Sequence, residues 1–279
     1  MAITNFIPAV WSENLYKQLD QKYIAVANCN REWEGEIKQY GDRVKICGIG
    51  TINIVNYAKD TDLSAPSTLS DTVTELVINQ AKAFNFQIDD IDAAQVKPRI
   101  MDMAVRQAAN GLANVTEKYI YNMYNNVESS NIVSVNLEND SFFNVIIDAI
   151  AKINTNGVCT DLVLEVTPKV ASYLFKEKIE LSSNNATMLE SGCIGSIAGC
   201  KVFVSSNVQT RSSEGVTNHF CFLRSKRAIA YAEQISEIEA YRPEKRFADA
   251  VKGLHLFGAK IVYPEELMVL KCTTPSITQ

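Results

Sequence analysis

Two histidines occur in the chain, His219 and His255. Each stands in a strand-like stretch with no second ligand at the spacing a metal site needs, so packing and hydrogen bonding are the expected roles. The acidic run Asp89, Asp90 and Asp92 brings carboxylates close enough to meet a cation. Ahead of a helical stretch, however, it fits a solvated or capping role better. Cys193 and Cys200 flank glycines, and without a second close pair they do not make a zinc site. The glycine runs Gly48–Gly50 and Gly192–Gly199 lack the GxxxxGK[ST] pattern, and the second leads into a strand rather than opening a helix. Their amides are therefore poorly placed for a phosphate, and turn geometry accounts for them. No catalytic, cofactor-binding or metal-binding residue is assigned: the expectation is a protein that is not an enzyme and carries no cofactor.

The composition agrees with a structural role. With 279 residues, 47% of them hydrophobic, the chain can bury one large core or two moderate ones. No apolar run reaches the roughly 20 residues that cross a bilayer, and the first residues have neither a basic segment nor a clean apolar one, so neither a membrane span nor secretion is expected. The seven cysteines are an odd number, widely spaced and mostly in apolar surroundings, as expected of buried thiols in a reducing compartment. A formal charge of −5 argues against a surface built to track phosphates. The short basic patches, Lys97 with Arg99 and Arg224 with Lys226 and Arg227, read as ordinary solvated surface.

The elements that position these residues are more telling. Val44 to Tyr57 and Asp71 to Ile88 are rich in Val, Ile, Thr, Phe and Tyr with interrupted alternation, and each reads as a strand-like arm. Between them, Ala58 to Ser70 is polar and carries Pro66, with Leu63 and Leu69 as its large apolar residues. A strand of about a dozen residues spans on the order of 40 Å, more than a small core needs, so part of this ribbon should project. A long helix is expected from Pro98 to about Met123, its apolar face formed by Ile100, Ala104, Ala108, Leu112, Val115 and Tyr119. A second helix carries Phe143, Ile146, Ala149, Ile150 and Ile153. Leu162 to Val166 reads as a buried strand, with Thr167 capping a helix that opens at Pro168. Further on, Lys201 to Ser206 and HFCFLR read as strands, SKRAIAYA as a short helix, and ISEIEAYR and GLHLFGAKIVYPEELMVLKC as sheet. The opening 30 residues read as an ordered arm followed by a short helix with Leu15 and Leu19.

Taken in order, NREWEGEIKQYGDRVKICGIG, AKAFNFQIDDIDAAQ, GCIGSIAGCKVFVSSNV and AIAYAEQISEIEAYRPEKRFADAVKGLHLFGAKIVYPEEL resemble major capsid proteins of tailed bacteriophages. The resemblance extends over most of the chain and rests on order, spacing and length together. It implies an α+β tailed-phage capsid fold: an N-terminal arm over 1–35, an extended β-ribbon loop and its base over 36–90, and a peripheral domain with a long spine helix over 91–131. An inserted axial domain follows over 132–215, and the returning peripheral sheet and C-terminus occupy 216–279.

The resemblance also implies a homo-oligomer of hexamers and pentamers, assembled in the host bacterial cytoplasm into the icosahedral shell of a virion. The implied partners are a portal protein, a possible decoration protein and non-specifically packaged double-stranded DNA, with no membrane. Relatives often begin with a scaffolding segment that is cleaved; here the arm-like FIPAVWSENLY starts at Phe6, so either that segment has been removed or a separate scaffolding protein serves, and the initiating Met1 favours the separate protein. One chain that serves several interfaces must present aromatic and aliphatic anchors. The candidate intersubunit contacts are Trp11, Tyr57, Leu63 and Leu69, with Lys59 near the loop tip. Trp33 reads as either a core residue or a contact, and Arg31, Glu34, Glu36 and Lys38 as either pairing or solvated groups. The alternatives are the shell of an enzyme-storing compartment, a soluble α/β enzyme, or a phage tail component.

Overall fold

The computed structural model describes residues 15, 17–20, 22–34, 40–49, 71–89, 100–155, 157, 161–176, 193–213, 215–245 and 247–275. The arms expected at either side of a polar tip are seen at their base. β1 (Arg43–Ile49) pairs antiparallel with β2 (Asp71–Val77), with Arg43 opposite Val77 and Ile49 opposite Asp71. The second arm is not one strand. It breaks at Ile78 and Asn79, and β3 (Gln80–Asp89) joins a different sheet, beside β11 (Ala248–Ile261), which in turn pairs with β10 (Ile229–Tyr241). Ile78 is fully buried between the two sheets, and the alternation of buried Leu76 and Ile78 with half-buried Val77 and exposed Asn79 runs straight through the break, so the sequence reads as one strand.

The ribbon lies on one face of this three-stranded sheet, where Val44, Ile46, Leu76 and Ile78 meet Ala230, Ala232 and Leu256. Trp33 is half-buried and packs against the same cluster. At Gly258 the approach is closest: a Cβ there would stand 2.3 Å from the Val77 carbonyl oxygen. Only glycine lets the backbones come that near.

The long helix α1 (Ile100–Tyr121) packs on the sheet's other face and measures about 33 Å at 1.5 Å per residue. Its buried stripe is Val105, Ala109, Leu112, Thr116 and Ile120, flanked by Ala113, Glu117 and Tyr121. This corrects the expected face: Val115 is exposed, and Ala104, Ala108 and Tyr119 are only half-buried. The expectation followed hydrophobic residues alone, whereas the inward side includes the polar Thr116 and Glu117.

A second, seven-stranded sheet has the order β4–β12–β9–β5–β7–β6, with β8 (Thr210–Ser213) beside β9. Its strands are β4 (Ile132–Asn136), β5 (Leu162–Val166), β6 (Cys193–Ile197), β7 (Cys200–Val204), β9 (Val216–Ser225) and β12 (Leu267–Pro275). Helices α2 (Phe142–Thr155) and α3 (Pro168–Lys176) cover one face and α1 lies against the other. The inward residues of α2 are Phe142, Ile146, Ala149, Ile150 and Ile153, with Phe142 where Phe143 was expected. α3 opens as read from the sequence: the Val170 amide donates to the Thr167 hydroxyl at 3.3 Å, ahead of Pro168 at the first helical position.

The short helix expected at SKRAIAYA is instead a turn at Lys226–Ala228 followed directly by β10. Ile229, Ala230, Tyr231 and Ala232 are all fully buried, because α1 covers one face and the ribbon the other. A strand buried on both faces shows no alternation, so periodicity does not separate it from a helix.

Candidate functional site: a buried carboxylate clasp and the open surfaces

Residues 22–34 run between α1 and the two sheets, and three buried carboxylates hold them. Glu117 on α1 accepts hydrogen bonds from the backbone amides of Ile24 and Ala25, the latter at 2.7 Å. Its other oxygen accepts from the Ser205 hydroxyl and the Asn207 amide, both at 3.2 Å. Glu165 on β5 faces Arg224 on β9 through two bonds of 2.9 and 3.2 Å and accepts from the Asn28 amide at 3.1 Å. The same guanidinium donates to the carbonyls of Ala25 and Asn28. Glu233 on β10 accepts from the hydroxyls of Tyr23 (2.7 Å) and Tyr231 (2.6 Å), from His255 Nε2 (2.9 Å) and from Arg31 (3.0 Å).

The electrostatics follow from burial and partners. Arg224 loses hydration, which lowers its pKa, but Glu165 and its other neighbours outweigh this and hold it charged. Burial raises the Glu165 carboxyl above its usual range despite the pull of Arg224. For Glu233 burial also acts upward, yet His255, Tyr231 and Tyr23 together bring the carboxyl below its usual value. A carboxylate with this many donors is satisfied as an anion. The arrangement is a clasp: it fixes the backbone of residues 23–31 in register with α1, β5 and β10.

Arg224 was expected in a solvated basic patch; it is fully buried and ion-paired. Arg31 pairs within its own chain, with Asp20, Glu34 and Glu233. The clasp carboxylates were not identified from sequence. Opposite charges inside the apolar strands LVLEV and FCFLR were a usable signal for Glu165 and Arg224. Glu117 and Glu233 gave none, since each sits on an element that alternates polar with apolar.

The histidines take structural roles. His255 is bonded to Glu233, and His219 lies between the Thr167 and Thr274 hydroxyls at 3.0 and 3.1 Å. Burial and, secondarily, Lys169 hold His219 below its ordinary pKa, so the ring is neutral. The run at Gly192–Gly199 contributes a hairpin turn between β6 and β7, where Ala198 and Gly199 both have positive φ. Among the described residues no group of His, Cys, Asp and Glu could hold a metal ion, and no described helix is long and apolar enough to cross a membrane.

The open surfaces include a groove of about 630 Å³ at the ribbon base, lined by Glu75, Asn79, Tyr119, Asn122 and Lys260 among others. Phe247, in the β10–β11 connection, is 83% exposed. The candidate contacts Trp11, Tyr57, Lys59, Leu63 and Leu69 lie outside the described residues, as do the side chains of Asp89, Asp90 and Asp92.

No protein-family model and no curated protein matches the chain. Solved structures do. A chain from Mycobacterium phage Che8 matches 89% of this chain and 90% of its own length, with a TM-score of 0.65 and 26% identity. A chain from the capsid of Ralstonia phage GP4 matches 92% of this chain and 90% of its own, with a TM-score of 0.68 at 10% identity. The chain has the capsid fold of tailed bacteriophages. That fold extends to a virus-like particle from Pyrococcus furiosus, matched over 95% of this chain and 99% of the other with a TM-score of 0.55 and 13% identity. Within the capsid fold of this chain, the clasp ties the N-terminal segment to the long helix and to both sheets.

Proposed function

We propose that the chain is the major capsid subunit of a tailed bacteriophage, forming hexamers and pentamers of an icosahedral shell around double-stranded DNA. The observation that carries this reading is the reciprocal, nearly full-length match to phage capsid chains. In this reading residues 1–35 are the arm, 36–90 the extended loop and its base, 91–131 the spine region, 132–215 the axial domain and 216–279 the returning sheet and C-terminus. Trp11, Tyr57, Lys59, Leu63 and Leu69 are the proposed intersubunit contacts. A separate scaffolding protein directs curvature, a portal protein occupies one vertex, and a decoration protein is an optional addition. The packaged DNA is held without sequence preference, in keeping with the net charge of −5. A shell enclosing something other than phage DNA is the second reading, favoured by the likeness to the Pyrococcus furiosus particle.

Electron microscopy of the chain expressed alone, and then with the neighbouring candidate scaffolding gene, tests the proposal. Closed uniform shells in either sample are expected. Monomers in both samples, with no rings, would overturn it.

A further inference from the structure

A strand at a sheet edge presents a row of unsatisfied backbone groups, and proteins protect such edges with bulges, short lengths, charge or cover. Most edges of this molecule are protected. β10 has the Asn30 backbone bridged to it at Ala230, a bulge between Ile235 and Glu237, and the exposed Glu239. β4 and β6 are five residues each, and β6 is also bulged. The ribbon strands carry the exposed pair Arg43 and Glu75.

β3 differs. It is ten residues long, in unbroken register with β11, and among the described residues it has no other strand partner. It has no proline, and its two charged residues, Lys82 and Asp89, stand near its ends. Its outer row, Ala81, Ala83, Asn85 and Gln87, is exposed and uncharged. Phe84 and Phe86 stack on the helix side at 6.1 Å between ring centroids.

We propose that β3 is an interface that pairs antiparallel with β3 of a second copy, about a two-fold axis at Asn85. This rests on the shell-forming reading, in which such a contact joins neighbouring capsomers. The row carries no charge that would repel a second copy, and its carboxamides both donate and accept. Asn85 already exchanges hydrogen bonds with the Tyr241 hydroxyl at 3.1 and 3.2 Å, and its amide retains a second N–H and a second lone pair. An axis at Asn85 sets Phe84 opposite Phe86 of the other copy and Ala83 opposite Gln87. It also keeps the two Lys82 side chains apart and both copies of α1 on the same side. An uncharged row without a large apolar residue offers a foreign ligand no anchor beyond the backbone ladder, and the chain's own edge supplies that ladder in matching length.

Asn85→Cys and Ala81→Cys, each in a Cys47→Ser, Cys159→Ser background, test the pairing in assembled particles with a short bis-thiol cross-linker. At the axis the Cβ atoms stand about 5 Å apart; at Ala81 they stand roughly 26 Å apart at about 3.3 Å per residue. Covalent dimers from Asn85→Cys alone are expected, together with at least tenfold slower amide exchange in β3 of wild-type particles than of dissociated subunits. Particles without Asn85→Cys dimers, or with unchanged β3 exchange, would overturn the pairing and leave the shell reading standing. Protection of β3 by a different segment would appear as slowed exchange without dimers, and also overturns it. Failure of the wild-type chain to form particles would instead overturn the shell reading itself.

Discussion

Arg224 and Glu165 face each other at 2.9 Å across β9 and β5 with neither side chain exposed to solvent. A matched buried pair adds little net stability over a well-packed apolar pair, but an orphaned partner is costly. Arg224→Met is therefore expected to destabilise the subunit by about 3–5 kcal/mol, because buried Glu165 loses its countercharge and the Ala25 and Asn28 carbonyls each lose the guanidinium as a donor. The double replacement Arg224→Met with Glu165→Leu should recover part of that loss. Urea unfolding of the wild type, the two single variants and the double variant checks both statements; additive losses would show that the pair is not coupled.

Glu233 gives the clasp a pH dependence. Its folded pKa lies below the ordinary 4.5, so its contribution is fully present above that value and is lost as pH falls through the folded pKa. Glu233→Gln should lower stability at pH 7, and the gap to wild type should close below about pH 4.5. Proteolysis after Lys17 or Lys22, followed against pH in both proteins, reports whether the N-terminal segment loosens in the same window. A gap that stays constant down to pH 3 would mean that Glu233 does not carry the effect.

Much of this fold was legible where one local signal decides. Thr167 and Pro168 mark the start of α3, and Leu162 to Val166 is a strand because all five residues are buried. The misread parts have separate causes. Ile229 to Ala232 is covered on two sides, which removes the periodicity that separates helix from strand, whereas the alternation of buried Leu76 and Ile78 with exposed Asn79 continues through the break and hides it. Glu117 and Glu233 carry no local mark of their burial because their partners at Ala25 and Tyr23 are 92 and 210 residues away. Local sequence carries no record of such contacts.

Gly258 and Gly253 should respond differently to alanine. At Gly258 the added Cβ meets the Val77 carbonyl at 2.3 Å and Ile78 Cα at 3.1 Å, so backbone must move and the ribbon must lift from the sheet. At Gly253 it meets the ring of Phe84 at 2.5 Å, and a half-buried ring can turn aside. A loss of about 1–3 kcal/mol is expected for Gly258→Ala, with a smaller one for Gly253→Ala. Thermal melts of the two variants order them; the reverse order would contradict the proposed packing of β2 on β11.

If the ribbon serves neighbours rather than its own core, removing its tip should leave the subunit intact. Replacing Thr61 to Leu69 by a short glycine bridge is expected to preserve the subunit's melting temperature and to prevent closed shells. Shells of normal number and thermal stability from this variant would exclude the tip, and with it Leu63 and Leu69, as assembly contacts.

The thiols offer a test of the folded core that needs no assembly. Cys29, Cys193, Cys200, Cys221 and Cys272 are buried and unpaired by disulfides. Burial pushes Cys29 up to about 11 and, with the Glu165 charge adding to it, Cys200 up to about 12. Attack on a disulfide reagent requires the thiolate and access to it, and both are denied here. Of the seven cysteines, at most Cys47 and Cys159 should react with Ellman's reagent at pH 8, and the remaining five only after unfolding in guanidinium. More than two fast-reacting thiols in the native subunit would mean that the sheets holding Cys193, Cys200, Cys221 and Cys272 open readily, which their burial in the core forbids.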